Sequence, residues 1–148
     1  MNEKILTLLE EKKYQELKQV LNEMESADIA AMFEELPESK MTLLFRLLSK
    51  ETAAEVFVEL ESDTQEVLIT SFSDSELKEV LEELYVDDAV DIIEEMPANV
   101  VKRILLHSNS EMRQSINLIL QYPKDSAGSI MTVEYVDLKE NMTVEDAF

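Results

Sequence analysis

The chain has 148 residues, 33 of them Asp or Glu and 13 Lys or Arg, for a formal net charge of −20. That balance argues against nucleic acid or anionic lipid as direct partners and favours cations, basic proteins or plain solubility, while a hydrophobic content of 45% is too high for a disordered acidic tail. With no Cys, one His and one Gly, disulfides, zinc cages and glycine-rich phosphate loops lack the residues they need.

The opening "MNEKILTLLEEKKYQELK" carries no signal-peptide pattern, and no apolar run approaches the roughly 20 residues that span a bilayer. Read alone, the chain is expected to be soluble and cytoplasmic. From residue 1 to about 121 the pattern is helical throughout, in short pieces: Leu, Glu, Met and Lys are abundant and apolar residues recur at i, i+3, i+4, i+7. Three stretches share one plan, "ADIAAMFEELPESKMTLLFRLL" (27–48), "TAAEVFVELESDTQEVLITSF" (52–72) and "DDAVDIIEEMPANVVKRILL" (87–106), with about 25 residues between the first two. Each predicts a helix, a break and a second helix; "SELKEVLEEL" (75–84) reads as an extra single helix between the last two. Ser62 with Gln65, Ser73 with Glu76 and Ser108 with Glu111 match the capping box at helix starts. Pro37 and Pro97 each stop the helix before them. Helix pairs that cannot bury their faces alone stack on their neighbours, so the fold class is all-α, a short-helix superhelix (α-solenoid) over 1–121. After Pro123 come the one Gly, a strand-like "VEYVDL" and Thr143 as cap of a new helix. A single strand is no domain, so 122–148 reads as a linker and the truncated start of an α/β unit within a longer protein.

The stretch "YVDDAVDIIEEMP" (85–97) holds Asp87, Asp88, Asp91, Glu94 and Glu95 with no basic residue. On a helix at 100° per residue, Asp87, Asp91 and Glu94 fall within about 60° of one another, with Asp88 and Glu95 beside them. Ala89, Ile92, Ile93 and Met96 complete a core face opposite, leaving the acidic face free. The helix at 51–60 divides the same way, with Ala53, Val56, Phe57 and Leu60 as its buried stripe and Glu51, Glu55 and Glu59 as an i, i+4, i+8 column. Each like-charged i, i+4 contact costs about 0.2–0.5 kcal/mol. A solvated acidic face is the plainer reading, and Asp87 or Asp88 can serve merely as an N-cap; the cap role does not account for Asp91, Glu94 and Glu95, which lie past it. The functional reading is a hard cation. Mg²⁺ takes oxygen ligands, keeps several waters and uses one or two carboxylates.

His107, after "VKRILL", is read as complementing a helix C-terminus rather than as a ligand or catalyst. The eight methionines, including Met32, Met41 and Met96, read as core filling. Without Cys and with one His, no nucleophile–base pair can be assembled, and the chain is not expected to be an enzyme.

Taken together, "TAAEVFVEL", "EVLEELYVDDAVDIIEEMP" and "YPKDSAGSIMTVEYVDLKENMTVEDAF" resemble the cytosolic N-terminal region of the MgtE family of magnesium channels, running into the first cystathionine-β-synthase-type (CBS) repeat. The most specific parts are "DDAVDIIEEMP" and "DSAGSIMT" followed by "MTVEDA". The resemblance implies an N-terminal superhelix domain at 1–121 and a CBS fragment at 122–148. It also implies Mg²⁺ sites between the acidic N-domain, the CBS pair and connecting helices, with high cytosolic Mg²⁺ drawing the parts together to close the pore and low Mg²⁺ letting them separate. The implied partners are the CBS pair and transmembrane pore of the same full-length chain, as a homodimer at the cytoplasmic face of the cell membrane, with no nucleic acid and no membrane insertion by this region. The family's acidic contacts map onto Glu55, Asp87, Asp88 and Asp91; helical geometry adds Glu51, Glu59, Glu94 and Glu95. The competing expectation is a metal-free helical scaffold, of the kind found in flagellar motor switch proteins, docking a basic partner through the acidic face.

Overall fold

Every twelfth residue from Asn2 to Ser110 opens a helix in the computed structural model, which describes residues 2–147. The helices are α1 (Asn2–Glu10), α2 (Tyr14–Asn22), α3 (Ser26–Glu34), α4 (Glu38–Phe45), α5 (Lys50–Glu59), α6 (Ser62–Ser71), α7 (Asp74–Glu83), α8 (Val86–Glu95), α9 (Ala98–His107) and α10 (Ser110–Leu120). Counted from the residue before each helix start, apolar residues at the fifth, eighth, ninth and twelfth places of most units supply the i, i+3, i+4, i+7 stripe. At the ninth place Leu9, Leu21, Phe33, Phe45, Phe57, Ile69, Leu81 and Ile93 are all buried, and at the twelfth Leu36, Leu48, Leu60, Phe72, Leu84 and Met96. From α5 to α10 the link between helices is two residues in extended backbone, for example Leu60–Glu61 and Leu84–Tyr85. The first of each such pair dives into the core and the second caps the next helix, so these links need no left-handed residue and no glycine.

Alternate helices stack: α3, α5, α7 and α9 form one row, while α4 packs on α6 and α8 on α10. Within these stacks each helix covers the apolar face of the helix two units earlier, which is how helices of about ten residues, too short to persist alone, are held. Phe45 ties the rows together, its ring centroid 6.2 Å from Phe33, 6.2 Å from Phe57 and 5.1 Å from Phe72. The all-α superhelix expected from the sequence is present, with Met32, Met41 and Met96 in its core. One expectation is corrected. The segment 75–84 is no extra helix but α7, an ordinary member of the row between α5 and α9.

The caps correct two more. Ser73 and Glu76 form the expected capping box. Ser62, however, is already inside α6, and Gln65 turns inward to donate to the Phe57 carbonyl at 2.8 Å. The start of α6 is served from α3, where Glu34 accepts from the Glu61 amide at 2.9 Å and the Thr64 hydroxyl at 2.6 Å. Ser108 ends α9, donating to the Ile104 carbonyl, and Asn109 instead caps α10 by accepting from the Met112 amide at 2.7 Å. At the other end of α6, Arg103 donates to the Ile69 carbonyl, to Phe72 O at 2.6 Å and to Asp74 Oδ1 at 3.1 Å. His107 does close the C-terminus of α9, and its Nε2 lies 3.3 Å from the same Asp74 oxygen.

After α10 a 3₁₀ turn (Ala127–Ile130) packs back on that helix. Gly128 is required there, because a Cβ would sit 2.3 Å from Cδ1 of the Tyr122 ring. The strand-like 133–138 takes no regular structure, and no strand forms among the described residues. Thr143 opens α11 (Val144–Ala147) as expected, accepting from the Asp146 amide at 3.2 Å. Among the described residues no helix is long and apolar enough to cross a membrane.

Candidate functional site

Helix α5 buries Ala53, Ala54, Val56 and Phe57, which turns Glu51, Glu55 and Glu59 outward as the expected column. Because α5 lies between α3 and α7, that column does not stand on an open surface. It runs along a groove of about 540 Å³ floored by Ala54 and Val58 and walled by Glu25 and Ser26 at the start of α3 and by Glu83, Tyr85 and Asp88 at the α7–α8 junction. Six carboxylates line this groove, with no Lys, Arg or His. Any cation that neutralises them must come from outside. Glu55 is partly committed, accepting from the Ser26 hydroxyl at 2.5 Å and so steadying the start of α3.

Asp88 stands on the rim shared with a second groove of about 230 Å³, where Asp91 and Glu95 join it across from Val58 and Leu60. The structure therefore brings Glu51, Glu55, Glu59 and Asp88 together in one groove and Asp88, Asp91 and Glu95 in the other. Glu94 lines neither groove, nor does Asp87, whose Oδ1 is buried without a hydrogen-bond partner. Neither Asp87 nor Asp88 is the N-cap of α8, which corrects that alternative. Tyr85 holds the cap position without a side-chain bond, and the Val86 amide donates instead to Glu134 Oε2 at 2.9 Å.

Among the described residues no basic side chain pairs with the carboxylates of α8. Partial burial pushes the Asp88 carboxyl above its usual range, and the neighbouring charges of Asp87, Asp91, Glu134 and Glu59 push it further. Burial raises Asp91 as well, with Glu94 and Asp87 adding to it. Elsewhere the same protein shows what a neutralised carboxylate looks like. Arg46, 2.5 Å away, and the Ser73 amide hold Glu76 down at about 2. The donor set around Asp88 is carboxylate oxygen, which suits Mg²⁺ or Ca²⁺ and not softer metals. Among the described residues no three His, Asp or Glu converge closely enough to hold a metal ion by themselves. The arrangement fits a hydrated Mg²⁺ held by one or two carboxylates, or a site completed from another domain.

Three residues of this surface escape a reading of single helices: Glu25, Glu83 and Glu134. Glu59 and Glu83 occupy the same place two units apart, in helices that pack on each other, so a twelve-residue register lays one beside the other. Glu134 has no such signal.

A family model described as the MgtE intracellular N domain matches residues 24–125. The magnesium transporter MgtE of Bacillus subtilis is 27% identical over 144 residues, 97% of this chain and 32% of its own length. Its namesake from Thermus thermophilus is 32% identical over 134 residues, 88% of this chain and 30% of its own length. The chain thus spans about a third of the curated relatives it matches. The crystal structure of the cytosolic domain of the Mg²⁺ channel MgtE in complex with ATP superposes with a TM-score of 0.86 at 31% identity, over 99% of this chain and 60% of that one. The crystal structure of the soluble part of a magnesium transporter gives 0.85 at 25%, over 99% and 58%. A family match over most of the chain and this fold together show that the chain belongs to the family of MgtE intracellular N domains.

Proposed function

We propose that the chain is the cytosolic Mg²⁺-sensing regulatory domain of a magnesium channel or transporter. Its acidic faces bind Mg²⁺ together with a CBS pair later in the full-length chain, which favours a closed pore, and they separate from it when Mg²⁺ is low. The observation that carries this is the state of Asp88 and Asp91. Asp88 is partly buried, both carboxyls are raised with neighbouring carboxylates contributing, and no basic residue lines their grooves. Such a face is costly when empty and relaxes when a divalent cation or a cation-bearing partner arrives. The names of the relatives, magnesium transporters and a Mg²⁺ channel, support the choice of ion.

Asp88 and Asp91 are assigned to metal contact, with Glu55 and Asp87 beside them and Glu51, Glu59, Glu94 and Glu95 as outer carboxylates holding hydrated ions. The chain has no catalytic role; it works as a switch of domain position in a homodimeric protein at the cytoplasmic face of the cell membrane, with 1–121 as the sensing unit and 122–148 as the start of the CBS pair. The test is a Mg²⁺ titration of the isotope-labelled chain followed by amide shifts, against KCl matched for ionic strength. Saturable shifts at Glu55 and 87–95, lost in Asp87→Asn/Asp91→Asn, support the sensor. Equal, diffuse shifts in both salts would favour a scaffold that docks a basic partner through simple screening.

A further inference from the structure

The segment after α10 is held to the helical body at a few points and then leaves it. The 3₁₀ turn packs on α10, Met131 and Val133 pack partly buried against the core, and Glu134 reaches the N-terminus of α8. The residues that follow stand out from the body, with Tyr135 75% and Val136 84% exposed. Glu134 is thus the last anchor before the polypeptide departs, and it is tied to the acidic helix itself.

We infer that Glu134 is a latch, capping α8 when cations occupy the acidic face and releasing it when the face is empty, so that cation occupancy is passed to whatever follows residue 134. This rests on the cation-sensing reading above. Two opposing forces act on the Glu134 carboxylate. The open amide of Val86 and the positive end of α8 attract it, at 2.9 Å. Carboxylates repel it from both sides: Asp88 on α8, and Glu82 and Glu111, which line with it a groove of about 340 Å³ between α7, α10 and the strap formed by 131–134. That groove, too, is lined by no Lys, Arg or His. A divalent cation on the face weakens the repulsion and leaves the N–H bond untouched, so it favours the docked strap. By linkage the docked strap must favour the cation equally.

The experiment reads hydrogen exchange of the Val86 amide by NMR in the 148-residue chain, in MgCl₂ and in KCl of equal ionic strength, for the wild type, Glu134→Gln and Glu134→Ala. In the wild type, Mg²⁺ raises Val86 protection about fivefold or more over KCl. Glu134→Gln keeps an acceptor but loses the charge, so its Val86 protection is the same in both salts. Glu134→Ala leaves Val86 poorly protected throughout. Equal Val86 protection in the wild type and Glu134→Ala overturns the latch whatever Mg²⁺ does. Saturable Mg²⁺ shifts at 87–95 without a change at Val86 overturn the latch while the sensor stands. Absence of those shifts overturns the sensor, and the linkage with it, while the Ala variant still shows whether Glu134 caps α8.

Discussion

Lys12 sits in the left-handed region at φ 57° and closes α1 in a Schellman arrangement, its amide bonding Leu9 O at 3.2 Å and the Lys13 amide bonding Leu8 O at 2.9 Å. A side chain with a Cβ is disfavoured there, so Lys12→Gly is expected to raise stability by about 0.5–1 kcal/mol in urea denaturation. Asp91 is strained for an electrostatic reason: Asp87 and Glu95 lie at i−4 and i+4 and Glu94 at i+3. Asp91→Asn in metal-free buffer is therefore expected to gain about 0.5–1 kcal/mol. The pH dependence has a definite sign. Asp88 and Asp91 have folded values above the ordinary 3.8, so the native state takes up protons first and stability rises as pH falls through their raised values toward 3.8. Glu76, held at about 2 against an ordinary 4.5, does the reverse, and its contribution disappears as pH falls from 4.5 to 2. A urea-midpoint profile for Asp91→Asn that keeps the wild-type rise above pH 3.8 would refute this account of Asp91. The carboxylates of α8 were legible as residues because helical angles alone separate them from Ile92 and Ile93. The partial burial of Asp88 was not, because it depends on the α5–α6 junction opposite.

At the scale of elements, the helices and their buried stripes follow directly from apolar spacing, but their register does not follow from capping motifs. Ser-x-x-Gln and Ser-x-x-Glu recur off register at Ser62 and Ser108, where the true caps fall one residue away at Glu61 and Asn109. The stronger signal is the twelve-residue repeat, which places each helix start and makes α7 an ordinary unit; it is obscured because no position in it is invariant in residue type. Glu34 could not be read as a cap at all, since it serves a helix that begins 28 residues later. Its two bonds to the start of α6 predict that Glu34→Ala loses about 1–2 kcal/mol, as expected for deleting a helix cap. Glu34→Gln, which can still accept from the Glu61 amide, should recover part of it. Equal stability of the Ala variant and the wild type in thermal unfolding would show that water replaces these bonds.

At the scale of the whole molecule, the charge column along α5 was visible in the sequence, whereas the groove was not. Its walls come from α3 and α7, which approach α5 only through alternate stacking, and Glu134 reaches α8 from 48 residues downstream. A net charge of −20 adds self-repulsion over the whole body, and this separates two effects of salt. KCl screens all exposed pairs beyond about 10 Å at 0.1 M, so it is expected to raise the melting temperature of wild-type and Asp87→Asn/Asp91→Asn chains alike, from a higher start in the variant. Mg²⁺ at equal ionic strength adds a binding contribution only where a site exists; at about tenfold its Kd this is about 1.4 kcal/mol. That is a rise of about 3–6 °C for a domain of this size. The wild type should show the extra rise and the double variant should lose most of it, because removing two charges from α8 removes both the repulsion and the reason to bind. An identical Mg²⁺ increment in both chains would mean that the ion acts on the overall charge, and that α8 carries no special share of it.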